Sequence, residues 1–364
     1  MFNHNHYVPI LKGKAGELNA LEKLNVDTKL NMTPMIEVQP VERDYDTKEP
    51  KKSLDDHLSA VAKKIHKAWG EKQSLFIDLT ELDLKERTVA GLHPATFINE
   101  RFKKLNVDYV PTTGLDRDDD FNEAIAQIVA NDNNDVCIRL EREDVISVEL
   151  LKNDLSELML SLGVSIEATH LLIDFKSIDE ANVKQNAQMA QNLINTLPQI
   201  SDYKTLTIAA AAMPESLVVF KPDSINTMPR TELTLWNLIN KNASELKRIP
   251  SFGDYGVVHP ATPEYDPRLV RPSAKIRYTQ EHEWLILKGH SVRKAPGFKQ
   301  YHSLSQQLVS RKEFIGSTFS WGDEYIEKCA NLETTSGSLQ TWVTIDTNHH
   351  LSLVSEQISM IDVF

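Results

Sequence analysis

The sequence predicts an α/β fold, a (β/α)8 TIM-like barrel with a C-terminal α+β extension, on three observations. Short β-rich runs alternate with helical stretches through the first 260 residues. Eight such runs can be counted, and a helix between successive strands makes each connection a crossover, which pairs the strands in parallel. Strand three is apolar apart from its end, and strands five and six are similar, as strands buried on both faces are. The chain has 364 residues against roughly 250 for a bare barrel, which leaves room for an appendage.

Strand one is 7–12 (YVPILK), followed by a helix over 16–24. Strand two is 33–38 (TPMIEV), and the charged stretch 42–52 after it reads as a loop. Residues 54–69 carry Leu54, Leu58, Val61, Ile65 and Trp69 at helical spacing. Strand three is 75–79 (LFIDL), then a helix over 97–105 and a short strand four at 108–111. The helix at 118–129 has acidic residues in its first turn, where the helix dipole favours them. Strand five (136–140), a helix (150–161), strand six (170–175) and a long helix (179–197) follow. Strand seven, 204–211, runs into the alanines 209–212, which leave room for a bulky neighbour; a helix at 231–242 and strand eight at 251–258 complete the count. An open doubly wound sheet is the alternative, but the GxGxxG turn such a sheet normally carries is missing.

The expected division is a barrel over 1–260 and a basic α+β extension over 261–364, packed on the barrel, its last segment closing it. Residues 274–278 and 284–288 read as an antiparallel hairpin, and 303–309 and 323–332 as short helices. Residues 339–354 mix strand and helix signals.

Composition narrows the function classes. With 41% hydrophobic and 25% charged residues the chain can build a real core. Two cysteines, Cys137 and Cys329, suit a reducing compartment better than a disulfide framework. The opening residues lack a signal-peptide pattern, and no apolar run approaches the ~20 residues of a membrane span, so a cytoplasmic protein without membrane contact is expected. A net charge of −12 argues against a general nucleic-acid coat protein. Residues 268–312 nevertheless carry +8, leaving −20 elsewhere. That segment interleaves its cations with Tyr278, Trp284, Phe298 and Tyr301, the composition of a single-strand nucleic-acid groove; neutralising the acidic barrel is the competing role.

In such barrels the strand C-termini build the site. Charges there are Glu37, Asp78, Asp174 and Asp254, candidates for acid–base or metal-binding work, with a divalent cation such as Mg as the cofactor they would suit. Lys12, Lys14 and Arg139 lie at the same ends and would hold an anion, joined by His259 beyond strand eight and by Arg277 and Lys288 from the basic segment. Buried charge is costly unless paired or solvated, so these groups should converge on a wet pocket or on one another. His349 and His350 are adjacent and face different ways on a regular element, which suits solvated or capping roles better than a shared metal. Asp323, in the quartet SWGD, can serve the start of the following helix. No GxSxG, P-loop or HExxH motif is present.

Several blocks together, YVPILKGKAGEL, TPMIEV, FGDYGVVHP, AKIRYT, EWLILKG, GFKQYHSLS, FSWGDEYI and TWVTIDTNHHL, resemble the phage-type beta protein family of bacteriophages and bacterial mobile islands. The resemblance spans nearly the whole chain, and its matching residues include Lys12, Lys14, Glu37, Asp254, Arg277, Lys288, Trp321, Asp323 and Trp342. It implies a bacterial or phage cytosolic protein used in phage–host conflict and carries over no reaction. Two functions follow as expectations. One is an enzyme acting on a phosphorylated or nucleic-acid ligand at the barrel mouth by acid–base or metal-assisted chemistry. The alternative is a non-enzymatic adaptor of a defence or counter-defence system, contacting a partner protein or nucleic acid through 268–312.

Overall fold

The computed structural model describes residues 2–71, 73–132, 135–261 and 268–361. The strands β1 (Tyr7–Leu11), β2 (Met35–Glu37), β3 (Leu75–Asp78), β4 (Tyr109–Thr113), β5 (Val136–Glu141), β6 (Thr169–Ser177), β7 (Thr205–Ala211) and β9 (Ser251–Asp254) close into a barrel, every pair parallel. The doubly wound alternative is thereby excluded. Around it lie α1 (Ala15–Glu22), α2 (Val26–Leu30), α3 (Leu54–Trp69), α4 (Pro94–Lys104), α5 (Asp119–Asp132), α6 (Val148–Leu162), α7 (Val183–Thr196) and α8 (Thr231–Asn240). The barrel interior holds Val8, Ile10, Met35, Phe76, Val110, Cys137, Leu172, Ala209, Ala211 and Tyr255. Gly253 belongs to this lining because a Cβ there would meet the Ala209 Cβ and the Val8 carbonyl oxygen at 2.9 Å each.

A second sheet is antiparallel. β10 (Ser273–Thr279) and β11 (Glu283–Ser291) form the expected hairpin, and β8 (Ser224–Pro229), from the connection between β7 and α8, adds to the far side of β11. Sequence reasoning misses β8. It is an edge strand, polar and ending in Pro229, and edges tolerate both features. One sheet face packs Ala274, Ile276, Tyr278, Leu285 and Leu287 against α9 (Gln300–Val309), α10 (Trp321–Ala330) and α11 (Leu339–Ser359). The other packs Trp284 and Ile286 against Met213, Leu217 and Val257 beside the barrel end.

The ambiguous tail is one helix. In α11, positions 344–355 are all buried, between α1 and β1 on one side and α10 and β10 on the other. Its polar side chains reach neighbouring backbone: Thr344 donates to the Gly16 carbonyl (3.0 Å), Asn348 to Ala20 (3.1 Å) and Ser355 to Thr28 (3.1 Å). The approach of α10 is equally close. A Cβ on Gly322 would lie 2.6 Å from the Ile345 carbonyl oxygen. Gly322→Ala should therefore cost about 1–3 kcal/mol as an overpacking change, measured by urea unfolding; a change within about 0.5 kcal/mol, as at an unconstrained surface site, would contradict this packing.

Candidate functional site at the barrel mouth

Side chains alternate across a strand, so the residue two beyond each interior apolar residue also faces inward. Ile10, Met35, Phe76, Cys137 and Leu172 thus hand on to Lys12, Glu37, Asp78, Arg139 and Asp174. All five are buried. Arg139 is the hub. Its Nη1 donates to Glu37 Oε1 (2.8 Å) and Asp78 Oδ2 (2.6 Å), and its Nη2 donates to Asp174 Oδ2 (2.6 Å) and the Tyr255 hydroxyl oxygen (2.6 Å). Tyr255 in turn donates to Asp174 Oδ2 at 2.5 Å. Lys12 Nζ sits 2.7 Å from Glu37 Oε2 and 2.8 Å from Glu81 Oε1. Arg117 approaches the other oxygen of Asp78 at 3.4 Å, and Lys176 lies 3.4 Å from Asp174.

This pairing outweighs desolvation. Burial opposes ionisation of Asp78, yet Arg139 and Arg117 hold its carboxyl below the usual range. Burial opposes the charge of Asp174 too, and Arg139 and Lys176 reverse the balance. Burial likewise works against the Lys12 ammonium, and Glu37 and Glu81 keep it above the ordinary lysine range. The point on which three carboxylates converge is filled by a guanidinium. Among the described residues no group of three His, Cys, Asp or Glu side chains is arranged to hold a metal ion, and a Mg ion would have to displace Arg139.

The other expected site residues lie elsewhere. Asp254 pairs in register with Pro9 and Ala210, one step out of phase with the inward Val8 and Ala209, so it points outward. There its Oδ1 accepts from the Tyr7 hydroxyl (2.5 Å) and the Gly256 N–H (2.9 Å), and its Oδ2 lies 2.9 Å from His350 Nε2. Arg277 is bound to Asp346 (2.9 Å) and the Val257 carbonyl (2.8 Å). Lys288 donates to the carbonyls of Leu217 and Phe220 at 2.7 Å each. Lys14 is exposed at the start of α1, and His259 is half-buried with Nδ1 near the Ala261 backbone.

Sequence reasoning does not find Tyr255, Arg117, Glu81 or Lys176, nor Glu17, a buried residue of α1 that burial pushes up to about 7. It also expects the adjacent histidines to be solvated or capping, and the structure corrects this. Both are fully buried, His350 against Asp254 and Thr279, His349 between Asp323 Oδ2 (2.8 Å) and the Thr279 carbonyl (2.9 Å). Ser320 caps α10, while Asp323 in its first turn binds His349 and the Tyr278 hydroxyl. Cys137 and Cys329 are buried and unlinked.

The family model described as Beta protein matches residues 7–356. The chain belongs to the Beta protein family. That match takes in the barrel strands, the antiparallel sheet and most of α11, so in this Beta protein family member the mouth and both histidine networks lie within the matched region. No curated protein matches. Among solved structures, the chain is similar to a crystal structure of triosephosphate isomerase from Bartonella henselae, at 11% identity and a TM-score of 0.34, covering 69% of this chain and 91% of that one. No helix among the described residues is long and apolar enough to cross a membrane.

Proposed function

We propose that this Beta protein family member is a non-enzymatic binding protein acting in phage–host conflict, its barrel a scaffold and its partner a protein. The observation that carries the reading is the Arg139 hub: charges that an acid–base or metal-assisted reaction would need are spent on one another in a buried cluster. Two further features support contact with a protein rather than with nucleic acid. The rings Tyr278, Trp284 and Tyr301 are buried in the sheet's two cores and offer no stacking surface for bases. A cavity of about 740 Å³ opens between α8 and α11, with Leu233, Phe319 and Leu353 in its lining and Ile315 and Met360 at 50% and 72% exposure. Apolar hollows of this size take anchor side chains. Exposed Arg271, Lys294, Lys299 and Lys312 would add charge contacts to an acidic partner surface.

The test is affinity capture from phage-infected and uninfected bacteria, with the wild type beside Ile315→Asp. A defined protein partner is expected with the wild type and lost with Ile315→Asp, while mobility shifts with single- and double-stranded nucleic acid stay negative at physiological salt. Salt-dependent nucleic-acid binding removed by Lys294→Glu with Lys299→Glu would overturn the protein-partner reading. Turnover of a phosphorylated compound, abolished by Glu37→Gln in a folded protein, would overturn the non-enzymatic one.

A further inference from the structure

The hairpin register sets Lys275 directly opposite Lys288, and Arg277 lies two residues along the same strand, so three cations share one face of the sheet. Like charges directly opposite are destabilising, and this face is largely buried: Arg277 and Lys288 are 8% and 7% exposed, and Lys275 is half-buried. Arg277 and Lys288 are engaged by Asp346 and by loop carbonyls. The Lys275 ammonium makes no hydrogen bond or ion pair among the described residues; burial, then Arg277, lowers it to about 8. Asp346, within electrostatic reach of Lys275, is 2% exposed, and its Oδ1 has no hydrogen-bond partner. A partnerless ammonium and a partnerless carboxylate oxygen thus sit in one cluster, beside a guanidinium. Leaving either group unsatisfied costs free energy, which a ligand matching both would recover.

We propose that Lys275, Arg277, Lys288 and Asp346 form a binding site for a phosphate monoester that carries a neighbouring hydroxyl. Three cations against one carboxylate leave two positive charges, the complement of a phosphate dianion. The hydroxyl donates to Asp346 Oδ1, and Lys275, still reached by solvent, receives the phosphate. This site is separate from the exposed surface assigned above to a macromolecular partner and stands or falls without it.

Titration calorimetry on the full-length protein, with inorganic phosphate, glycerol 3-phosphate and glycerate at constant ionic strength, tests the proposal. Glycerol 3-phosphate should bind saturably, about tenfold tighter than inorganic phosphate and than glycerate, because each of these lacks one of the two matched groups. Lys275→Met should weaken it by at least about tenfold and should not lower the melting temperature of the free protein, since it removes a charge with no partner. Lys275→Gln is the substitute should Met misfold. Absence of saturable binding, or binding unchanged by both variants, overturns the site. Equal affinity for phosphate and glycerol 3-phosphate overturns the role of Asp346.

Discussion

Arg139→Met should destabilise the protein by about 3–5 kcal/mol at neutral pH, the usual cost of removing one partner from a buried ionic cluster. The substitution keeps much of the side-chain volume and takes away the hub shared by Glu37, Asp78 and Asp174, leaving three carboxylates in a buried barrel end. The loss should shrink in acid. In the wild type, Asp78 and Asp174 ionise more readily folded than unfolded, so their contribution is fully present above the ordinary carboxylate pKa. It disappears as pH falls through their folded values. In Arg139→Met the same carboxyls are destabilising while charged, and protonation relieves them. Urea unfolding of both proteins at neutral and mildly acid pH reads the two effects. A neutral-pH difference under about 1 kcal/mol, in the range of an exposed ion pair, would mean that the cluster is solvated and open to a ligand. That outcome would return the mouth to the list of candidate active sites.

The mouth was legible in the sequence because a charge at the end of an apolar strand has few places to go. Glu37, Asp78, Arg139 and Asp174 stand out in that way, and the structure brings these four together with Lys12. The phase of β9 was not legible. Gly253 breaks the apolar alternation, so nothing in FGDYG distinguishes inward Tyr255 from outward Asp254. The barrel strands could be read because parallel strands buried on both faces are short apolar runs between helices. β8 hides for the opposite reason, being polar and at an edge. The segment that becomes α11 misled through its environment: a helix enclosed on all sides has no polar stripe, so Thr, Asn, Ser and His fall wherever a backbone carbonyl or an Asp waits. Tyr278 and Trp284 suggested an open groove because a sheet covered on both faces buries alternate residues in two separate cores; Tyr301 is buried on α9 in the first of these cores, and Phe298 is half-buried beside it.

Asp254→Ala and Asp254→Asn should differ sharply, and the difference reports the state of the buried histidine. Asp254 receives hydrogen bonds from Tyr7 and Gly256 and faces His350 Nε2, and the Thr279 hydroxyl lies 2.9 Å from His350 Nδ1. Burial lowers His350, which favours the neutral ring; in that form a proton on Nε2 would donate to Asp254 while Nδ1 accepts from Thr279. Alanine at 254 would strand three donors and cost about 3–5 kcal/mol. Asparagine can keep two of them on its carbonyl oxygen. Its amide then faces Nε2, and the ring can move its proton to Nδ1 and donate to Thr279. A neutral ring allows that exchange at a cost of about 1 kcal/mol, the scale of one ordinary hydrogen bond. An imidazolium would not, having no free nitrogen to accept the amide, and Asp254→Asn would then be as damaging as the alanine. The pH dependence follows the same logic. A histidine lowered in the fold binds its proton more readily when unfolded, so the contribution of His350 to stability should be complete above the ordinary histidine value and fall as pH drops below it. His350→Gln should make that limb of the urea-unfolding profile shallower, with His6, His57, His93 and His170, lowered in the same direction, supplying what remains of it, while leaving the lower carboxylate limb in place. Two damaging variants of equal size at 254, together with an unchanged limb, would establish a buried ion pair in place of the neutral relay joining β1, β9 and α11.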